Sequence, residues 1–558
     1  MDELTAERKA IVVRPVSSQT VVVAGPGTGK THVLAARVQA LLDCGAVDDP
    51  QDVLVLSFTR AAVSELRRRL GDHAVARFVR PSTIDAYARR QLLALGITPR
   101  GDFDQVIRET SALLEDAPEA ASFAHVIVDE AQDLVDDRRV LVERLLARAK
   151  GFTVLGDPAQ GIYGWQASTG STDAVAEVLG RFPEAARFEL THDHRTRAAG
   201  ASPLRALRNQ VAAGADESLL TTLRQTMRTV PTLEPGALAL VLRHADEETA
   251  VVCRTNGEVL QLSQRLREAD VDHRVQPSAE VAVPSAWPAR LLGNWGDDAL
   301  ERDDVFSIES SLTESQREAA WEELSRIAGD EKGTVHLALV RRLAYELAEL
   351  PGLERAVPRL STVHRIKGLE FDRVIVTEFA ERSQNIDTAE ESRVLFVAAT
   401  RARDETLFAR LERPSFAMRH RGGRWTATPW RRETPTAIEV RVGDIDRRVP
   451  FVDDGSAAFI QRHLRTSVRP GDKVTVESRS VHGQTELQVM HRGLAIGRLD
   501  TTAQEAFGRV GLHGMTLTGL VVDRLSTAVG DPETSEAVQA GAGGLWLVPE
   551  ISGLARIS

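Results

Sequence analysis

The stretch AGPGTGKT, Ala24 to Thr31, brings three glycines, a lysine and hydroxyl groups together in one short turn. Gly25, Gly27 and Gly29 let backbone N–H groups converge on phosphate oxygens at a helix N-terminus. Lys30 is then placed to reach β- and γ-phosphates, and the Thr31 hydroxyl to ligate Mg²⁺. The strict pattern asks for glycine where Ala24 stands, a substitution small enough to keep the loop. A dinucleotide fingerprint is excluded, because its third glycine would fall on Lys30. In HVIVDEAQD, Asp129 sits where a strand end holds Mg²⁺, and Glu130 beside it can polarise an attacking water. In GDPAQGIYGWQAS, Gln160 can hydrogen-bond a γ-phosphate or its water. Tyr163 and Trp165 follow, either as a stacking platform for a single strand or as a buried corner. LTHDHRT carries His192 and His194 at a spacing that puts two imidazoles on one strand face, as a metal site would need; its neighbour Arg195 is the rival functional group.

These groups need rigid elements behind them. VVVA feeds the glycine turn as a strand, and Leu34, Val38, Leu41 and Leu42 mark one face of the helix that follows. HVIV and FTVLG read as further strands of the same core. DRVIV and VLFVAAT imply a second α/β core, so the fold class expected is α/β. The 558 residues suggest three or four domains, and 42% hydrophobic with 27% charged residues is ordinary for a chain that buries several cores. No run approaches the roughly 18 apolar residues of a membrane span, and MDELTAERKA lacks the apolar core of a signal peptide. Cys44 and Cys253 alone build neither a disulfide framework nor a four-cysteine cluster. A cytoplasmic protein is expected. The net charge of -11 confines any nucleic-acid binding to a local basic groove.

Taken in order, the motifs resemble superfamily 1A helicases of the UvrD/Rep/PcrA type, from Leu4 to about Leu411. AGPGTGKT looks like motif I, VLSFTRAAVSELRRRL like motif Ia, STIDAY like motif Ib, VIVDEAQD like motif II and GDPAQGIYGWQAS like motif III. LTHDHRT falls at motif IV, LSTVHRIKGLEFDRVIV at motif V and SRVLFVAATRAR at motif VI. The resemblance implies two RecA-like P-loop motor domains, and the helical insertions read in this sequence are small. It also implies ATP and Mg²⁺ as cofactors and single-stranded DNA as partner, including the 3′ tail of a duplex. Catalytic roles fall on Lys30, Glu130, Gln160, Arg195 and Arg401, the two arginines reaching the γ-phosphate. Nucleotide contacts fall on Arg8, Gly25, Gly27, Thr28, Gly29, Lys30, Thr31, Arg37, His194 and Glu370, the last as ribose contact. Metal contacts fall on Thr31 and Asp129, and strand contacts on Phe58, Thr59, Tyr163, Trp165, Thr362, His364 and Lys367. His364 has a core or supporting role as its alternative.

Three positions depart from the family pattern. Arg8 stands for an adenine-reading glutamine, His194 for an adenine-stacking tyrosine, and Asp85 for a strand-facing histidine. The first two put strict ATP preference in question, and Asp85 is expected to face away from phosphate or to bind a base edge. The expected domains are motor domain 1A at 1–91 and 125–189 with a reduced 1B insertion at 92–124. Motor domain 2A takes 190–277 and 359–412, with a reduced helical 2B insertion at 278–358. Leu339, Val340, Leu343, Leu347 and Leu350 there form one helical face. A linker at 413–435 and a small β-rich C-terminal domain at 436–558, suited to docking a protein partner or nucleic acid, complete the chain. The function expected is a 3′–5′ single-stranded DNA translocase or helicase. The alternative is a nucleotide-gated DNA-binding regulator or loader of a partner complex.

Overall fold

The computed structural model describes residues 4–71, 75–97, 99, 103–116, 122–163, 173–194, 204, 206–214, 217–277, 283–330, 332–350, 352, 357–378, 387–412, 416–431, 434–452, 456–481, 484–509, 516–530 and 541–557. The chain divides into two compact units, Met1–Glu234 with Val363–Arg410, and Pro235–Thr362 with Leu411–Ser558. Expected domain 2A is thus shared between them: 190–234 and 363–410 fall in the first unit, 235–277, 359–362 and 411–412 in the second.

In the first unit, β1 (Gln19–Ala24), β2 (Val53–Ser57), β3 (Ser82–Thr83), β4 (His125–Val128), β5 (Phe152–Gly156) and β6 (Ala186–Leu190) form one parallel sheet. Their order is β3-β2-β4-β5-β1-β6. The inner strands are continuous apolar runs because both faces of a parallel sheet are covered. Along β1, Val21 and Val23 enter one core with Leu54, Leu56, Val126 and Val128. Val22 and Ala24 enter the opposite core with Val53, Val55 and Ile127. The carboxyl ends of β4, β5 and β1 are therefore adjacent, where an open α/β sheet binds ligands. Three further parallel strands, Thr232–Leu233, Ala402–Ala409 and Phe371–Thr377, lie side by side in this unit. The expected 1B insertion does not stand apart. Its helix Phe103–Asp116 sends Val106, Ile107 and Leu114 into the same core as Tyr87 and Leu141, since its apolar face finds that partner next to it.

In the second unit, Thr249–Cys253, Arg359–Thr362 and Arg274–Val275 run parallel. Beside them in sequence, the helix Asn256–Glu268 starts at a capping box of Thr255 and Glu258. An eight-stranded antiparallel sheet follows the order Phe416–Arg421, Arg424–Pro429, Ala437–Val440, Leu545–Ile557, Leu517–Val529, Lys473–Val481, Gln484–His491, Leu494–Arg498. The expected linker at 413–435 is corrected by the first two of these strands. They pair as a hairpin turning at Gly422 and Gly423, both at positive φ (58° and 83°) as a tight hairpin requires. The Arg, Trp and Pro content masked that pattern. The expected 2B insertion is also not separate: Trp287, Leu292, Leu324, Val340 and Leu350 share one core with Val474, Phe507, Trp546 and Ile551 of the C-terminal part. The helical face read as Leu339 to Leu350 is shorter than expected. The α-helix is Leu337–Leu343, a 3-10 turn takes Ala344–Glu346, and Leu339 is exposed. No helix among the described residues is long and apolar enough to cross a membrane.

Candidate nucleotide and nucleic-acid site

β1 ends at Ala24, and the helix Lys30–Asp43 begins with Gly29 as its cap at φ 81°, a left-handed conformation that glycine adopts without strain. The glycine also makes room: the Arg8 guanidinium lies where a Cβ on Gly29 would be, and its Nη2 donates to Thr28 O at 2.8 Å. The Thr28 hydroxyl is buried and closes the loop on Gly25 O at 2.9 Å. The His194 backbone N–H donates to Gly27 O at 2.9 Å, so both residues that depart at the base-reading positions flank the loop. His192 and His194 meet ring edge to face at 4.5 Å. Burial, with Arg8 and His192 nearby, lowers the His194 pKa. A less basic imidazole is a better partner for a neutral ring than an imidazolium beside an arginine.

The buried Lys30 ammonium donates to Ala24 O at 3.3 Å and lies 3.7 Å from Glu130 Oε1. Asp129 and Glu130 are buried at the end of β4, and Glu130 sits at φ 55°, a strained position for a side-chain-bearing residue. Burial and the adjacent Glu130 raise the Asp129 pKa. Burial also works to raise Glu130, yet Lys30, Lys367 and Arg401, with a hydrogen bond from Gln132, hold it below the usual carboxylate range. The two neighbouring carboxylates are thus pushed in opposite directions, Asp129 by burial beside another acid and Glu130 by the cations around it.

Gln132 links the acids to the next strand. Its Nε2 donates to Glu130 Oε2, and its Oε1 accepts from the Asp157 N–H at 2.9 Å. Gln160 Nε2 donates to Asp157 Oδ2 at 2.6 Å, while Gln160 Oε1 accepts from Arg401 Nη2 at 2.5 Å. Arg401, buried at the start of the strand Ala402–Ala409, also donates to Val397 O at 3.2 Å. Lys30, Asp129, Glu130, Gln160 and Arg401 are therefore brought together on described elements. Thr31 follows Lys30 on the same helix turn, half-buried.

Phe58, Tyr163 and His364 form a second assembly. The Phe58 and Tyr163 rings lie 5.1 Å apart, Tyr163 and His364 5.9 Å, and Tyr163 Oη donates to His364 O at 3.0 Å. Thr59 caps the next helix by accepting from Ala62 N at 3.2 Å. Its hydroxyl lies 2.9 Å from where a Cβ on Gly368 would be, so that residue, at φ 79°, has to be glycine. The three rings are half-buried rather than core, which suits a platform.

Other expected residues lie elsewhere. Arg37 is corrected: its buried guanidinium donates to Arg14 O, to Val12 O at 2.9 Å and to Pro15 O at 2.9 Å, tying down the segment before β1 instead of a nucleotide. Lys367 is corrected as well. It is 3% exposed, and its ammonium binds Asp133 Oδ1 and Gln160 O beneath the Tyr163 ring, leaving no face for a strand. Thr362 is buried at the end of its strand in the second unit. Glu370 is half-buried before Phe371–Thr377, with its carbonyl accepting from Arg403 at 3.2 Å. Arg195 and Trp165 lie outside the described residues. Asp85 pairs with Arg138 at 2.8 Å.

Reading the sequence missed Gln132, Asp133, Asp157 and Arg208. The first three stand inside the DEAQD and GDPAQ stretches, where their position was the available signal. Arg208 is on the helix Arg208–Ala212 with no motif around it.

Known proteins resemble parts of this chain. Residues 7–166 match the model of an AAA domain family, and residues 359–408 that of the UvrD-like helicase C-terminal domain. The chain is 26% identical over 359 residues to proteins of Mycobacterium tuberculosis and Mycobacterium bovis named ATP-dependent DNA helicase UvrD2, covering 54% of this chain and 50% of theirs. It is 24% identical to the ATP-dependent DNA helicase PcrA of Staphylococcus epidermidis, over 33% of this chain and 37% of that one. The chain spans about half the length of the curated UvrD2 relatives it matches. Among solved structures, Pif1 helicase from Candida albicans aligns at 12% identity and a TM-score of 0.35, covering 73% of this chain and 94% of that one.

Proposed function

We propose that this chain, similar in part to UvrD- and PcrA-type helicases, is an ATP-driven motor that moves 3′ to 5′ along single-stranded DNA. The observation that supports it is the one buried network joining Lys30, Glu130, Gln132, Asp157, Gln160 and Arg401 at the strand ends. The loop N–H groups and Lys30 take the phosphate tail, and Glu130, held ionised by Lys30, Lys367 and Arg401, takes the proton of the attacking water. Gln160 and Arg401 meet the γ-phosphate, a guanidinium there being worth about 10³–10⁵ in rate. Arg195 is proposed as the second guanidinium. Thr31 and Asp129 are the residues to hold Mg²⁺, a fit supported by the buried Asp129 carboxylate at the end of β4, next to Glu130. Bound there, the ion would neutralise phosphate charge.

Arg8 and His194 would face the base and Glu370 the ribose, giving looser base preference than a glutamine–tyrosine pair. Phe58, Thr59, Tyr163 and His364, with Trp165, would carry the strand by stacking and backbone contacts. The test is hydrolysis of ATP, GTP and CTP with and without single-stranded DNA, by the wild type and Glu130→Gln. Strand-stimulated turnover is expected to fall by about 10²–10⁴ in the variant while nucleotide and DNA binding persist. Undiminished turnover overturns the mechanism.

A second reading, a nucleotide-gated regulator or loader, is supported by the segments 92–124 and 278–358 packing into cores rather than standing out to grip a duplex. Streptavidin displacement from end-labelled strands separates the two. DNA-stimulated hydrolysis without displacement favours the gate.

A further inference from the structure

Arg208 has no place in the proposed chemistry, yet its guanidinium is at the phosphate loop. Its Nε is 2.8 Å from where a Cβ on Gly25 would stand, so the guanidinium packs directly against the loop backbone there. Nε donates to Asp157 Oδ1 at 3.1 Å, and Nη2 lies 2.9 Å from the same oxygen. Nη1 is 3.6 Å from the half-exposed Glu189, a weaker and wetter partner. Asp157 is fully buried, and its other oxygen, Oδ2, accepts from Gln160 Nε2 at 2.6 Å.

This arrangement decides which way the Gln160 amide points. An amide has a donor end and an acceptor end, and the wrong orientation would set its oxygen against a carboxylate and its NH₂ against a guanidinium. A carboxylate on one side and Arg401 on the other leave a single orientation, NH₂ to Asp157 and oxygen to Arg401. Asp157 keeps that role only while its aspartate is fixed. It has a backbone tether on the other side, where its N–H donates to Gln132 Oε1 at 2.9 Å, and Gln132 in turn holds Glu130. Arg208 is the cation that holds the carboxylate itself, whose Oδ1 also accepts from the Ala159 N–H at 3.3 Å. A buried carboxylate that loses its charged partner either takes a proton or moves toward solvent. In both cases the Gln160 amide is free to flip, and Arg401 loses its acceptor.

We propose that Arg208 is a positioning residue for the nucleotide site, clamping Asp157 so that Gln160 and Arg401 are set for the γ-phosphate. The inference rests on the hydrolase reading above. Arg208 acts through Asp157 and not on the phosphate, so its loss slows turnover without weakening nucleotide affinity.

The experiment compares full-length wild type, Arg208→Gln, Arg208→Lys, Gln160→Ala and the Arg208→Gln/Gln160→Ala double variant. The readouts are DNA-stimulated kcat and KM for ATP, affinity for a fluorescent ATP analogue, and thermal unfolding to confirm folding. The proposal expects Arg208→Gln to lower kcat at least tenfold with KM and analogue affinity within threefold of wild type. Arg208→Lys, which keeps the charge but not the fork of donors, recovers part of the loss. On the Gln160→Ala background Arg208→Gln adds little, because both act through one amide. A KM effect with unchanged kcat overturns it in favour of a direct phosphate contact. Losses that multiply across the double variant, or wild-type kinetics in Arg208→Gln, overturn it too. Should the lysine and glutamine variants fail to fold, Asp157→Asn carries the same prediction of a kcat loss non-additive with Gln160→Ala. A wild type that binds the analogue but hydrolyses no nucleotide sinks the parent reading instead, and the two failures are therefore distinct.

Discussion

Lys367→Met keeps the aliphatic stem of a buried lysine and removes its charge. In the structure that charge faces Asp133, with side-chain exposures of 1% and 0%. Removing one partner of a fully buried pair typically costs about 3–5 kcal/mol, because the other is left uncompensated. Burial already pushes the Asp133 pKa up to about 7, with Lys367 working against the rise. Without Lys367 the folded protein holds that proton to higher pH, while the unfolded chain releases it near the ordinary value of about 3.9. Above about pH 7 the wild-type carboxyl ionises beside its lysine and the variant's does not. The penalty therefore grows with pH, by about 1.4 kcal/mol per unit, or about 2 kcal/mol between pH 7 and 8.5. Urea unfolding midpoints of wild type, Lys367→Met and Lys367→Met/Asp133→Asn at both pH values measure it. The double variant should show no growth, its acid being gone. A penalty below about 1 kcal/mol, or one indifferent to pH, refutes the buried clamp. If Lys367 instead touched a phosphate, the variant would keep its stability and lose about 1 from the salt slope of DNA binding.

Two more outcomes follow from the geometry. His125 is buried between Val16 O (2.7 Å) and Thr153 Oγ1 (2.9 Å), and burial, aided by Arg37, lowers its pKa to about 3. The folded state then binds fewer protons than the unfolded chain below about pH 6.5, so this stabilisation is present above that pH and lost as pH falls toward 3. It declines by about 2 kcal/mol from pH 7 to 5. His125→Gln should lose that share of acid sensitivity in denaturation curves, and equal sensitivity in both proteins argues against it. Tyr163→Ala should weaken single-strand binding by about 1–3 kcal/mol in fluorescence anisotropy without altering its salt slope. Unchanged affinity would make the aromatic assembly a structural corner.

What the sequence determined was whatever depends on neighbours in the chain. The glycine spacing before Lys30 dictates an anion cradle wherever it stands, and HVIVDE puts two acids at a strand end because a buried parallel strand has to stop there. Unbroken apolar runs identified strands covered on both faces, hence the α/β class. Departures at Arg8 and His194 were legible too, and the structure adds that both flank the same loop. Readings failed where composition spoke more loudly than alternation, as in the hairpin Phe416–Pro429, and where an amphipathic helix gives no sign of which core it joins. Only tertiary structure decided which charged side chains face each other. Arg37, Lys367 and Arg208 are alike in sequence as cations near motifs. One is saturated by carbonyls before β1, one is sealed against Asp133, and one grips Asp157 beside Gly25. The desolvation cost of a buried charge is met only by partners brought from distant segments, and no local spacing encodes where those segments cross.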